Sequence, residues 1–99
     1  MDTNQSTPLD YFLQKLRDLY WRLARLEILQ ALADSGQFHL KEIYEQHFIV
    51  LGYANAALKK VQLIPGIPQI LINNAEIRIQ EAERQSTLMR EKLYPLIHA

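Results

Sequence analysis

The chain of 99 residues contains no cysteine. This absence excludes disulfides, thiolate metal sites and cysteine nucleophiles together. Glycine is also scarce, and its three occurrences form neither a phosphate-binding loop nor the sharp turn that presents a nucleophilic serine. We therefore expect a protein that catalyses no reaction and holds no cofactor or metal ion.

Long hydrophobic runs are missing as well, since no stretch approaches the roughly 18 apolar residues that would span a bilayer. The first residues, "MDTNQS", lack the basic-then-apolar order of a signal peptide. Apolar residues make up 48% of the chain and charged residues 22%, as in ordinary globular domains. These proportions predict one soluble domain over residues 1–99, located in the cytoplasm, with residues 1–6 as a flexible tail.

Neither sign of charge is in excess, because eleven Lys and Arg balance eleven Asp and Glu. Proteins that bind nucleic acids usually carry a basic stripe, since contacts with phosphates supply much of their affinity. No such stripe is present in this sequence. The balance argues against DNA or RNA as the partner.

What the sequence does contain is helical periodicity, first over residues 8–34. Thr7 can cap this segment, Pro8 suits the first helical position, and Ser35 with Gly36 supplies a stop. Apolar residues then recur at alternating spacings of three and four, as at the a and d positions of a heptad. We expect the following stripe to face the core: Leu9, Phe12, Leu16, Leu19, Leu23 and Leu26.

A second helical segment is predicted over residues 38–62. Gly52 costs about 1 kcal/mol there relative to alanine, so we interpret it as a sign of a bend or a close approach. Pro65, Gly66 and Pro68 then mark a break in the chain. The expected core face of this helix consists of Leu40, Ile43, His47, Val50, Ala54, Ala57 and Val61.

The stretch "LIPGIPQILINNAEIRIQ", residues 63–80, allows two interpretations. Its alternating isoleucines around Asn73 and Asn74 suggest a β-hairpin, but a two-residue hairpin turn strongly favours Asn-Gly, which is absent. The same isoleucines also begin a heptad phase that continues into the charged C-terminal region. That phase predicts a helix over residues 68–94 with a core face of Ile72, Ala75, Ile79, Ala82, Ser86, Met89 and Leu93.

Three helices of about 25 residues would each be about 37 Å long at 1.5 Å per residue. Helices of matched length joined by short turns run up, down and up. The sequence therefore predicts an all-α fold, an antiparallel three-helix bundle with coiled-coil-like packing.

The stretch "RLEILQALADSGQFHLKEIY", residues 25–44, resembles the start of a winged-helix repressor of the ArsR type, in which a helix reading R-L-x-I-L-x-x-L precedes a short helix containing E-[LI]. The later "LKKVQLIPGI" is similar to the L-x-x-L-x-x-x-G-L ending of that family's recognition helix. As an alternative, this resemblance implies a DNA-binding transcriptional regulator with residues 69–80 as the wing. The chain departs from the family at "HFIVL", which is apolar where a helix-turn-helix normally carries glycine.

His47 falls in the middle of the apolar face of the second helix. A buried neutral imidazole needs a hydrogen-bond partner, and burial lowers the pKa of a histidine. His47 is therefore either a satisfied core residue or a pH-sensitive contact. No H-x-x-x-H spacing accompanies it, so we expect no metal site there.

Several large apolar residues fall outside the three core stripes. Trp21 lies well off the stripe of the first helix and has Arg17 and Arg25 one turn away, a composition typical of binding hot spots. A bundle helix needs only one apolar face, so a second apolar set indicates an interface with another protein. The interface candidates are Trp21, Arg17, Arg25, Ile28, Leu32, Phe48, Ile49, Tyr53, Ile70, Ile77 and Leu88.

These features together predict a small helical protein-binding module, such as an adaptor, an assembly factor or a chaperone. We expect it to self-associate, as a homodimer, and to bind a further protein that the sequence does not identify.

Overall fold

The computed structural model describes residues 8–36 and 39–98, with side chains up to Tyr94. Helix α1 spans Pro8–Ser35, α2 spans Leu40–Gln62 and α3 spans Gln69–His98. They pack against one another in up-down-up order, and no strand occurs among the described residues. The predicted all-α three-helix bundle is confirmed. Within the same residues, none of the helices holds an 18-residue stretch apolar enough to cross a bilayer.

The helix ends lie within one residue of the predicted boundaries, except that α2 begins at Leu40, after the extended His39, and that α3 ends later than predicted. Helix α1 stops at Gly36, whose φ of 69° lies in the left-handed region that glycine adopts without strain. Helix α3 continues through Pro95 to His98, past the predicted end near residue 94. A proline removes one backbone donor and weakens a helix, but it does not have to end it. The predicted tail, residues 1–6, and the predicted start of α2 at Phe38 lie outside the described residues.

Residues 69–80, the alternative wing, belong to α3 and are helical throughout. The wing implied by the resemblance to ArsR-type repressors is therefore wrong. The helix starts directly after the loop, where the N–H of Leu71 donates to the carbonyl of Pro68 at 3.0 Å. Asn73 accepts a hydrogen bond from the Gln69 side chain one turn earlier, at 2.9 Å, so it lies on an ordinary helix surface.

The core stripes predicted for α2 and α3 are almost entirely buried. Every member of the α3 stripe is buried, and in α2 only Leu40 is half-buried. Alanines on both helices face the core, where their small side chains let the backbones approach closely. One apolar cluster results: Leu19, Leu23, Leu26, Val50, Ala54, Ala57, Leu58, Val61, Ile72, Ala75, Ile79 and Ala82.

The stripe predicted for α1 is wrong at its N-terminal end. Leu9 is 63% exposed, and Phe12 and Leu16 are only half-buried. The cause is the register of the helices, because the hydroxyl of Tyr20 donates to the carbonyl of Leu71 at 2.9 Å. Helix α3 thus begins alongside the middle of α1. The first turns of α1 extend past α3 and are flanked, among the described residues, by the end of α2 and the loop after it.

The close approach predicted at Gly52 does not occur within the described part of the chain. Helix α2 is continuous through this position. Apart from its chain neighbours and the backbone of its own helix, no atom of the described residues lies within 4 Å of the place that a Cβ would take. Gly52 lies on the exposed side of α2, where the bundle supplies no neighbour.

Candidate functional site

The first candidate surface is the α1 outer face, which we define as Trp21, Arg25, Ile28 and Leu32. At 100° per residue, Trp21 and Ile28 lie nearly opposite the buried leucines of the same helix. Trp21 is 68% exposed and Ile28 is 61% exposed, while Leu32 is half-buried. With two neighbouring side chains of α1, the four residues line a shallow groove of about 320 Å³. The predicted second stripe of α1 is thus a continuous apolar surface.

Arginines flank the tryptophan on this face. Arg17 and Arg25 are both exposed, and neither forms an ion pair among the described residues. Arg17 borders a broad depression on the N-terminal side of Trp21, which also includes Lys60 from the end of α2. Both guanidinium groups are therefore free to contact a molecule bound over Trp21.

A second surface, the α2 outer face, consists of Phe48, Ile49, Gly52, Tyr53 and Ala56. All five residues are exposed. The Tyr53 ring lies toward α1, where the Arg22 guanidinium sits 4.9 Å from its centroid. Phe48 borders a depression lined also by residues of α3, and its ring contacts that of Tyr44 with centroids 6.2 Å apart. Gly52 lies between these rings and has no side chain, while Ile49 on the same face is 50% exposed.

The candidate residues of α3 do not form a comparable surface. Ile70, Ile77 and Leu88 are exposed, by 74%, 65% and 37%. They lie two or more turns apart along the helix, and the Glu81–Arg84 ion pair occupies part of the surface between the last two. The predicted interface residues therefore fall on three separate helix surfaces rather than on one patch.

His47 is buried as predicted, with 1% of its surface exposed. Burial lowers its pKa, because the charged ring is poorly solvated there. Its Nδ1 atom, however, has no hydrogen-bond partner among the described residues. The expectation that a core histidine would be satisfied by the fold is therefore not met.

His47 lines a cleft between α1 and α3 with a volume of about 290 Å³. Gln30 lines the same cleft, and its buried Oε1 also has no hydrogen-bond partner among the described residues. Sequence reasoning missed Gln30, although it occupies the heptad position that follows Leu26 on the α1 stripe. A polar residue at a core position was the signal that could have identified it.

Ion pairs hold the rim of this cleft, which we call the His47 cleft. The Nε and Nη2 atoms of Arg78 donate to the two carboxylate oxygens of Glu27 at 3.1 and 2.7 Å. On α3, hydrogen bonds from Arg84 and then from Gln85 lower the pKa of Glu81 to about 2. The charged groups at the rim are thus already paired with one another.

No three His, Asp or Glu side chains of the described residues come together in a way that could hold a metal ion. Comparison of the chain with protein-family models, with curated protein sequences and with solved structures finds no match. Function must therefore be inferred from the two outer faces and the His47 cleft.

Proposed function

We propose that this chain is a small helical protein-binding module, an adaptor, assembly factor or chaperone without catalysis of its own. It pairs with a second copy of itself through the α1 outer face and presents other apolar surface to a further protein in the cytoplasm. The observation that carries this proposal is the exposure of Trp21 and Ile28 on the side of α1 turned away from the core.

Energetics favour docking at the α1 outer face. The leucines of the core stripe already attach α1 to the bundle, so Trp21 is not needed for folding. An aromatic ring of this kind buries about 150–250 Å² when it is covered, and apolar burial is worth about 25 cal/mol per Å². Covering Trp21 and its neighbours therefore supplies several kcal/mol toward association, against the entropy that association costs.

A second copy suits this face because Trp21 and Arg25 can pair reciprocally with the same two residues of the other copy. Trp21 and Arg25 are one turn apart on α1. In an antiparallel pair of α1 helices with a two-fold axis between these residues, the Trp21 ring of each copy meets the Arg25 guanidinium of the other. Cations stack favourably on tryptophan, and Arg25 has no ion-pair partner within the described part of the chain to compete.

The balance of charge supports a protein as the further partner rather than a nucleic acid. The chain as a whole is neutral, with eleven residues of each sign. Most of the affinity of nonspecific nucleic-acid binders comes from Lys and Arg contacts with phosphates, which need a local basic excess. An apolar helix surface instead suits a complementary apolar helix.

Trp21→Ala tests the homodimer. We expect its dimer dissociation constant to rise about 30-fold or more, since truncation of a central interface residue costs about 2 kcal/mol. The melting temperature of dilute protein should change little, because Trp21 lies outside the core. Sedimentation equilibrium over a range of concentrations measures the first quantity, and circular dichroism at low concentration measures the second.

Two matched pairs of variants serve as controls. Ile28→Ser should weaken the dimer and Ile70→Ser should not, although both side chains are well exposed, at 61% and 74%. Arg25→Ala should likewise weaken it more than Arg17→Ala, which changes the arginine on the other side of Trp21. A chain that sediments as a monomer at every concentration, or a dimer that Ile70→Ser weakens as much as Ile28→Ser, contradicts the proposal.

A further inference from the structure

The α2 outer face lies directly opposite the side that α2 buries. At about 100° per residue, Gly52 is turned about 180° away from Ile43 and Val61, which are buried and lie equally far before and after it. The three large apolar side chains of this face are between 50% and 61% exposed. A helix in a bundle needs one apolar face, so this second apolar set has no role in the packing of its own chain.

Charged residues flank the face symmetrically about Gly52. Glu45 lies two turns before Gly52 and Lys59 lies two turns after it, and the stretch between them contains no other Asp, Glu, Lys or Arg. Both lie within about 20° of Gly52 around the helix axis. Both are exposed, and neither forms an ion pair among the described residues. The face therefore ends in a free carboxylate on one side and a free ammonium group on the other.

A second copy can meet this face with its opposite charges. If a two-fold axis passes beside Gly52, the two α2 helices run antiparallel, and the Lys59 of each copy lies beside the Glu45 of the other. Lys41, one turn before Glu45, then lies opposite the uncharged Leu63 of the other copy. The axis thus brings two opposite-charge pairs together and sets no like charges against each other along the centre of the contact.

The apolar residues of the face fit the same axis. Phe48 and Ala56 lie one turn before and one turn after Gly52, so the ring of each copy meets the methyl group of the other. Ile49 and Tyr53 both lie on the flank toward α1, where each Ile49 packs beside the Tyr53 of the other copy. At the axis itself glycine meets glycine, and no side chain separates the helices.

The order of the charges also selects the orientation of the two helices. In a parallel pair each residue near the axis faces its own counterpart, so Glu45 would meet Glu45 and Lys59 would meet Lys59. Like charges in contact disfavour that arrangement. Exposed ion pairs add little affinity, so the apolar side chains supply the attraction and the charges specify the antiparallel orientation.

We propose that the α2 outer face is a second contact between copies of this chain, formed by two antiparallel α2 helices that cross at Gly52. The contact goes beyond the pairing through the α1 outer face and does not depend on it. It is the weaker of the two, because α2 contains neither the tryptophan nor the arginine that are typical of binding hot spots. At high concentration it joins two α1-paired dimers into a larger assembly.

Cross-linking tests the axis directly, because the natural chain contains no cysteine. Gly52→Cys places two thiols at the crossing point, close to the Cα separation of about 4.4–6.8 Å that a disulfide requires. Gln80→Cys, at an exposed position of α3, serves as the control for random collision. In a glutathione redox buffer we expect Gly52→Cys to form linked dimers at least about tenfold more readily, because two thiols held in one complex have a high effective concentration.

Lys59→Cys is the matched variant for the orientation. In the antiparallel pair two such residues lie about 21 Å apart, so linking should not exceed the level of Gln80→Cys. In a parallel pair they would meet, and Lys59→Cys would link as readily as Gly52→Cys.

Charge exchange provides a second test that needs no cysteine. Trp21→Ala serves as the starting chain, because it weakens the pairing through α1 and leaves the α2 outer face unchanged. Adding Glu45→Lys should raise the dissociation constant of the α2 contact about tenfold, since two attractive pairs become repulsive. Adding Lys59→Glu as well should restore it. Glu91→Lys makes the same charge change at an exposed position of α3 and should have no effect on sedimentation.

The proposal is overturned if Gly52→Cys links no more readily than Gln80→Cys, since no copy then docks on this face. Equal linking of Lys59→Cys and Gly52→Cys would contradict the antiparallel orientation. Loss of linking when Trp21→Ala is added to Gly52→Cys would show that the contact depends on the α1 pairing. Failure of the α1 pairing alone has a different signature: Trp21→Ala then leaves sedimentation unchanged, while Gly52→Cys still links.

Discussion

The two sides of α1 carry similar apolar side chains but meet opposite surroundings. Leu19 and Leu23 are 0% and 1% exposed, whereas Trp21 and Ile28 on the other side are 68% and 61% exposed. The buried side is covered because stripes of the same spacing on α2 and α3 face it. Apolar spacing therefore shows which residues gain from burial, while the other helices decide which of them are buried within one chain.

Helix α2 repeats this contrast and adds one unexpected residue to each side. Val50 and Ala54 are buried, while Ile49 and Tyr53 on the outer side are 50% and 56% exposed. The core side also holds His47, with an orphaned ring nitrogen, and the outer side holds a glycine. Substitutions on the two sides should therefore change different properties of the protein.

The largest effect is expected on the core side of α1. Leu23→Ala should lower the free energy of unfolding by about 2–5 kcal/mol, because it removes a buried side chain and leaves a cavity. Leu9→Ala changes the same heptad stripe at a site that is 63% exposed, and should stay within about 0.5 kcal/mol. Urea unfolding with an unchanged slope measures both values. Equal losses would mean that the first turns of α1 are covered in solution.

His47, on the core side of α2, should make the free energy of unfolding depend on pH. Burial lowers its pKa below the usual 6.5 in the folded chain, so between these values the unfolded chain binds a proton that the folded chain does not. The free energy of unfolding is therefore highest above about pH 6.5 and falls as the pH drops toward the pKa of His47 in the folded chain. Urea unfolding at several pH values should show this loss, and His47→Phe should abolish it.

His47→Phe should also raise the stability at pH 7 by about 1 kcal/mol, since it removes a buried unsatisfied nitrogen. His39→Gln, at an exposed site before α2, serves as the control and should leave the pH dependence in place. The carboxyl of Glu81 contributes to the stability in a separate pH range. Its pKa is lowered from 4.5 to about 2, so its contribution is lost only as the pH falls below about 4.5. An unchanged profile in His47→Phe would contradict the assignment.

The fold was predictable because heptad phase is a local property, which can be recognised in the sequence of each helix separately. The unbroken phase from Ile72 to Leu93 favoured a helix over a hairpin, and the residues of that phase are buried in α3. The exposure of Leu9 was not predictable, because it depends on the register between α1 and α3. The Tyr20–Leu71 hydrogen bond that marks this register joins residues far apart in the sequence.

The candidate sites were predictable only in part for the same reason. Trp21 and Ile28 lie outside the heptad stripe of α1 in the sequence, and both are exposed in the structure. The His47 cleft, by contrast, needs three helices to bring Gln30, His47 and Arg78 together. Sequence spacing identified His47 as unusual, but it gave no information about what would face the ring.

The smallest expected effect lies on the outer side of α2. Gly52→Ala should raise the free energy of unfolding by about 1 kcal/mol, because alanine is the better helix former and the new methyl group meets no other helix or side chain of the described residues within 4 Å. Ala56→Gly, one turn later on the same face, should lower it by a similar amount. Urea unfolding of dilute protein measures both changes. A loss of stability in Gly52→Ala would contradict a regular, exposed helix at this position.

The same pair of variants also separates the two outer faces. A homodimer formed through Trp21 and Arg25 leaves the α2 outer face free, so Gly52→Ala should not change its dissociation constant. The homodimer could instead form by a helix that docks closely over Gly52, between Phe48 and Tyr53. In that case the added methyl group obstructs the approach, so association is weaker although the isolated chain is more stable. Sedimentation of Gly52→Ala beside Trp21→Ala therefore decides which helix forms the homodimer interface. If Gly52→Ala alone weakens association, the interface lies on α2 and not on α1.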